Sequence, residues 1–140
     1  MRIGMWTEAL KLIGEKPLIG HGLLHFSEIN NLPLGNPIQH FTHAHNQFLD
    51  IWMKLGIGGL AFLLAFLGLP IFVGWKLYSR NIDLGLGLSL IWLGGSFCVY
   101  GLSEVWLIHT NTIVILATYI TTLLIVADKK WAGLDRPALI

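Results

Sequence analysis

A chain of 140 residues that is 54% hydrophobic and 12% charged, with a mean hydropathy of +0.66, is far more apolar than a soluble domain, where about a quarter of the residues carry charge. Its net charge of +1 offers no basic surplus for nucleic acid, and its one cysteine, Cys98, inside an apolar run, excludes a disulfide framework or a cysteine metal site. The composition is that of an all-α, polytopic integral membrane protein.

From Arg2 to Ile13 the apolar residues Ile3, Trp6, Leu10 and Ile13 recur at helical spacing, with Arg2, Glu8 and Lys11 between them, which predicts an amphipathic helix. Gly14, as a left-handed cap, and Pro17 are expected to end it. Met1 to Gly20 lacks the charged start and unbroken apolar core of a cleavable export signal. The stretch 17–35, with Gly20, Gly22, Pro33 and Gly35 and no sustained period, reads as irregular chain at the membrane surface, with His21, His25 and His40 in or beside it. At His43-Ala44-His45-Asn46 the polar loop turns into an apolar helix. On a 3.6-residue period His45, Leu49, Trp52, Gly56 and Gly59 form one stripe, and Asn46, Asp50, Met53 and Lys54 line its neighbour.

Leu55 to Trp75 is a run of 21 uncharged residues between Lys54 and Lys76, long enough at 1.5 Å per residue to cross a hydrocarbon core of about 30 Å. Gly56, Gly59, Ala61, Ala65 and Gly68 offer small residues for close approach of another helix, and Pro70 is a candidate kink. Leu84 to Ser103 and Trp106 to Ala127 predict two further spans, separated by a tight turn around Glu104. Trp75, Tyr78, Trp106 and Trp131 fall near the span ends, where amphipathic rings favour the headgroup layer. The basic residues Lys76 and Arg80 between spans one and two, and Lys129, Lys130 and Arg136 after span three, belong on the cytoplasmic side. The division is then a periplasmic helix and loop over 1–46, a three-helix membrane region over 47–127 and a cytoplasmic tail over 128–140, with the Glu104 turn facing the same side as the histidine loop.

His45 can act as a general base, since an unperturbed imidazole titrates near 6.5, or it can simply cap a helix entrance. Asp50 and Lys54, four apart, suit an ion pair along the helix. His43 and His45, with His21, His25 and His40, raise a zinc reading, but the spacing supplies no clear third ligand and no metal is expected. Arg2 shares a helix face with Trp6, can stack on it, and presents a planar fork suited to phosphate oxygens, although such an arginine is commonly just solvated. Glu104 suits a proton relay or plain exposure. Gly20-His21-Gly22 is too short and isolated for a phosphate loop.

His45-Asn46, nine residues, Gly56, two residues and Gly59 resembles the signature of the O-antigen ligase family: His, then Asn, Ser or Gln, nine residues, Gly, two residues, then Gly, Thr or Tyr. Arg2, Trp6, Ala9-Leu10, Ile13, Glu15, Pro17 and Gly20-His21-Gly22 resemble the segment that precedes the histidine in that superfamily. The resemblance implies a membrane glycosyltransferase of the bacterial inner membrane. It passes a glycan from undecaprenyl pyrophosphate to an acceptor hydroxyl, on the lipid A core for ligases, on a repeat unit for polymerases, or on a protein for related oligosaccharyltransferases. It implies no metal or nucleotide cofactor. Carried over, His45 activates the acceptor hydroxyl, Arg2 holds the pyrophosphate with Trp6 beside it, and Asn46 and Asp50 support the histidine. Only the C-terminal part of such an enzyme is matched, so the chain is expected to need an N-terminal transmembrane partner and to be inactive alone. A reading of another class stays open: a small non-enzymatic membrane protein that binds metal or partner helices.

Overall fold

The computed structural model describes residues 2–29, 36, 41–105 and 110–134. His40, Pro33, Gly35, Trp106, His109 and Arg136, and the predicted start of span three at 106, lie outside the described residues. Among those described, the fold is all-helical: α1 (Arg2–Glu15), the short α2 (Phe26–Ile29), α3 (Gln47–Ser79), α4 (Leu84–Gly101) and α5 (Thr110–Leu134). Three of them, α3, α4 and α5, contain stretches long and apolar enough to cross a membrane.

The chain divides into two compact units, Met1–Ala65 with Val99–Ile108, and Phe66–Cys98 with His109–Ile140. In the first, α1 buries Met5, Ala9, Leu12 and Ile13 against Phe26, Ala44 and Met53, with Trp6, Phe41, Leu49 and Trp52 packed around them. The predicted apolar stripe is thereby corrected. Ile3 and Leu10 are exposed, because the packed face is centred one residue away, on Met5, Ala9 and Leu12. Nor is Gly14 a left-handed cap, since the positive-φ glycines among the described residues are Gly20, Gly22 and Gly56. The end of α1 is closed instead by the Lys16 amide and the His21 imidazole, both on the Leu12 carbonyl, at 3.3 and 2.7 Å.

The break inside α3 falls at Gly56 (φ 66°, ψ −166°), the one residue of that helix with non-helical angles, and not at Pro70. Interrupting a helix frees carbonyls and amides that must find partners, above all where water is scarce. The loop after α1 supplies them. His21 N donates to Met53 O and Gly22 N to Lys54 O, both at 2.9 Å, while Ile57 N donates to Pro17 O at 2.9 Å and the Trp52 indole to the same oxygen at 3.1 Å. The fit is so close that a Cβ on Gly20 would overlap the Lys54 carbonyl, and one on Gly56 the Leu18 carbonyl. Gly59 has a related cause: the kink swings Leu55 over it, leaving no room for a side chain. The stretch Pro17–Gly22 is thus a plug for the kink in α3.

In the second unit, Leu77, Leu90 and Ala127 form a core with Val73, Ile82, Leu86, Leu123, Leu124 and Trp131. Here α3 and α4 touch backbone to backbone, since a Cβ on Gly74 would stand 2.5 Å from the Gly87 carbonyl oxygen. Of the small residues predicted to admit a helix, Gly56 instead meets the plug loop, while a Cβ on Gly68 would meet nothing within 4 Å. Asp83 caps α4 by accepting from Leu86 N at 2.9 Å and pairs with Lys130 of α5, while Arg80 lies over the Trp131 ring at 5.2 Å.

Candidate active site

The histidine loop is fixed at three points. Asn46 is the N-cap of α3: its Oδ1 accepts from Phe48 N at 3.0 Å and Leu49 N at 3.1 Å, and its carbonyl accepts from Asp50 N at 2.9 Å. The Asn46 amide then donates to Leu102 O at 3.3 Å, tying the cap to the turn that ends α4. Asp50, buried and paired with Lys54 Nζ at 2.9 Å, accepts from the Ala44 amide at 3.3 Å. From the other side, Trp6 of α1 donates its indole N–H to the Ala44 carbonyl at 3.1 Å. Asn46→Ala should remove two amide caps and the Leu102 link, at a cost of about 1–2 kcal/mol; chemical unfolding of detergent-purified protein checks it.

Between these anchors His45 stands just before the helix with φ 48°, so it does not belong to the helical stripe expected for it. A non-glycine residue in this region costs energy, and the fixed loop holds it there. Its Nδ1 lies 3.1 Å from Glu104 Oε1, and Phe41 meets the ring edge-on, centroids 5.6 Å apart. His43 stacks obliquely on His45, centroids 4.3 Å apart, with Nε2 3.6 Å from the same Glu104 oxygen and Nδ1 2.9 Å from the Thr42 hydroxyl. Burial first, then the neighbouring His45, push the His43 imidazole below its usual value. Burial pushes the Glu104 carboxyl up. The pairing with His45, the Val105 amide and His43 outweigh it, so the Glu104 carboxyl is held below its ordinary value.

The pairing of Glu104 with His45, 59 residues apart, is the feature that spacing alone did not supply. The topology placed the two on one side of the membrane, and that was its only trace. Arg2 is exposed on the first turn of α1, one turn before Trp6. The cation–π pairs among the described residues are Lys76 with Phe72 and Arg80 with Trp131, so the expected stacking of Arg2 on Trp6 is absent; the indole is engaged by Ala44 instead. The two other described histidines do not join the cluster: His21 caps α1, and the exposed His25 opens α2, its amide donating to Glu28 Oε2 at 2.8 Å.

A carboxylate on Nδ1 fixes the neutral tautomer of an imidazole and leaves Nε2 as the basic nitrogen. The arrangement His45–Glu104 can therefore take a proton at Nε2 and stabilise the resulting imidazolium. Comparison with known proteins agrees with the loop at the centre of this geometry. The sequence profile described as O-antigen ligase matches residues 1–64, which contain α1, the plug, the histidine loop and the kink. Residues 1–64 are thus similar to the O-antigen ligase family. An uncharacterized protein of Haemophilus influenzae is 33% identical over 88 residues, covering 59% of this chain. The chain spans only 22% of that relative's length. No solved structure matches. Within the matched residues, the two stretches that carry the resemblance are in direct contact, one as the plug of the other's kink.

Proposed function

We propose that this chain is the C-terminal catalytic part of an O-antigen ligase-like glycosyltransferase of the bacterial inner membrane, with residues 1–46 on the periplasmic side. The observation that carries the reading is the hydrogen bond from His45 Nδ1 to Glu104, in the loop that bears the family signature. The donor is a glycan on undecaprenyl pyrophosphate and the acceptor a hydroxyl of the lipid A core. The acceptor oxygen attacks the anomeric carbon, His45 Nε2 takes the hydroxyl proton, and the bond from that carbon to the pyrophosphate oxygen breaks. Glu104 orients the imidazole and offsets its new charge, acting as a positioning residue. The leaving pyrophosphate gains negative charge, which the Arg2 guanidinium meets with paired hydrogen bonds. Asn46 and Asp50 support the histidine by holding its loop, and Trp6 holds the loop from α1 while standing one turn from Arg2 on the substrate side.

The activity also draws on the N-terminal transmembrane part of such an enzyme, called its N-terminal partner below. Leu18, Ile19 and Leu23, exposed at 72%, 78% and 79%, support a further apolar partner or lipid around the plug loop. Arg2→Ala, produced together with that partner, should lower glycan transfer by roughly 10²- to 10³-fold, as loss of a charge-stabilising donor does, with Arg2→Lys intermediate because an ammonium cannot make the paired contact. Lipopolysaccharide ladders on gels measure it. Wild-type transfer by a fully inserted Arg2→Ala protein would remove Arg2 from the mechanism.

A further inference from the structure

Two imidazoles and a carboxylate converge on one point of the loop. Glu104 Oε1 lies 3.1 Å from His45 Nδ1 and 3.6 Å from His43 Nε2, and one ligand atom from each of the three residues lies within 4.8 Å of the others. A tetrahedral zinc ion bound at about 2.0–2.1 Å by nitrogen and carboxylate oxygen sets its ligand atoms roughly 3.3 Å apart. The two separations from Glu104 already sit near that value. His43 keeps its second nitrogen on the Thr42 hydroxyl at 2.9 Å, the kind of outer partner that fixes a metal-bound imidazole. The three side chains are 16%, 22% and 28% exposed, open enough for an ion to enter from water.

We infer that His43 Nε2, His45 Nδ1 and Glu104 Oε1 form a site for a divalent transition-metal ion, Zn2+ foremost, whose occupation switches off the proton-accepting function of His45. The binding stands on the geometry alone; the switching rests on the catalytic reading above. Without metal, Glu104 accepts the Nδ1 proton and Nε2 carries the lone pair. A metal on Nδ1 takes the lone pair there, so the single imidazole proton resides on Nε2. No proton is gained or lost, but Nε2 becomes a donor and cannot accept from a hydroxyl. Three protein ligands leave one position of the metal for water.

The test is calorimetric titration of ZnCl2 into the detergent-purified chain, with Co2+ absorption in the visible range as a second readout and circular dichroism to confirm helix content. One Zn2+ per chain is expected, with affinity at least 10-fold weaker in His43→Ala and in Glu104→Gln and unchanged in His25→Ala. The same affinity in the His43→Ala and Glu104→Gln proteins as in wild type, or no saturable binding, would overturn the site. In the transfer assay with the N-terminal partner, Zn2+ should inhibit, a chelator should restore activity, and His43→Ala should need at least 10-fold more Zn2+ for half-inhibition. Full transfer at a Zn2+ concentration that saturates the calorimetric site would overturn the switching. The binding readout needs no glycan, so it fails or succeeds separately from the catalytic reading.

Discussion

His45→Ala in the presence of the N-terminal partner should lower glycan transfer by roughly 10²- to 10⁴-fold, the range that a positioned general base contributes. The backbone supplies a control that separates chemistry from folding. His45 holds φ 48°, which glycine adopts without steric cost, so His45→Gly relieves strain while removing the imidazole. His45→Gly should therefore be as inactive as His45→Ala, yet no less stable than it. Transfer by purified proteoliposomes, alongside thermal unfolding of each variant, separates the two effects. A histidine retained only for structure would show the opposite pattern: transfer would survive in whichever variant stays folded.

The second large effect is expected at the kink. Gly56→Ala places a Cβ on the Leu18 carbonyl at a residue whose φ of 66° already disfavours side chains. Strain of this kind costs about 1–3 kcal/mol. Displacing the plug also removes the bonds of His21 N, Gly22 N and Ile57 N, each worth about 1 kcal/mol. A loss of roughly 3 kcal/mol or more should follow, read as a lower unfolding midpoint and faster proteolysis between Pro17 and Gly22. Gly58, two residues on, meets nothing within 4 Å, so Gly58→Ala should change stability little or raise it by up to about 1 kcal/mol. Equal damage at both positions would mean that the break in α3 does not depend on the plug.

These two sites also mark what the sequence could express. Long uncharged runs report helices that cross a membrane because length and apolarity are properties of the run itself, and α3, α4 and α5 accordingly contain such stretches. The family signature likewise lies within one continuous stretch, from His45 to Gly59. What did not show was partnership across the chain. Gly56 reads as a small residue open to a helix, because spacing reveals which face a residue occupies and not what comes to meet it; in the structure the loop around Leu18 meets it. The stripe of Ile3 and Leu10 was misjudged for the same reason, as hydrophobicity does not say which apolar face finds a core and which is left exposed. His21 had no assigned role in the spacing, and the end of α1 supplies one through the Leu12 carbonyl. Glu104 looked isolated in its turn until the Asn46 cap, tied to Leu102, brought that turn to the histidines.

The claim at the centre of this account is that His45 and Glu104 act as one unit in glycan transfer. The most direct measurement is the transfer rate of His45→Ala, Glu104→Gln and the double variant, each assembled with the N-terminal partner and supplied with lipid-linked glycan and acceptor. Residues that act as a unit are strongly non-additive. The double variant should therefore be no slower than His45→Ala alone, with Glu104→Gln slowed by itself. Losses that multiply in the double variant, or a Glu104→Gln protein that transfers at the wild-type rate, would contradict it.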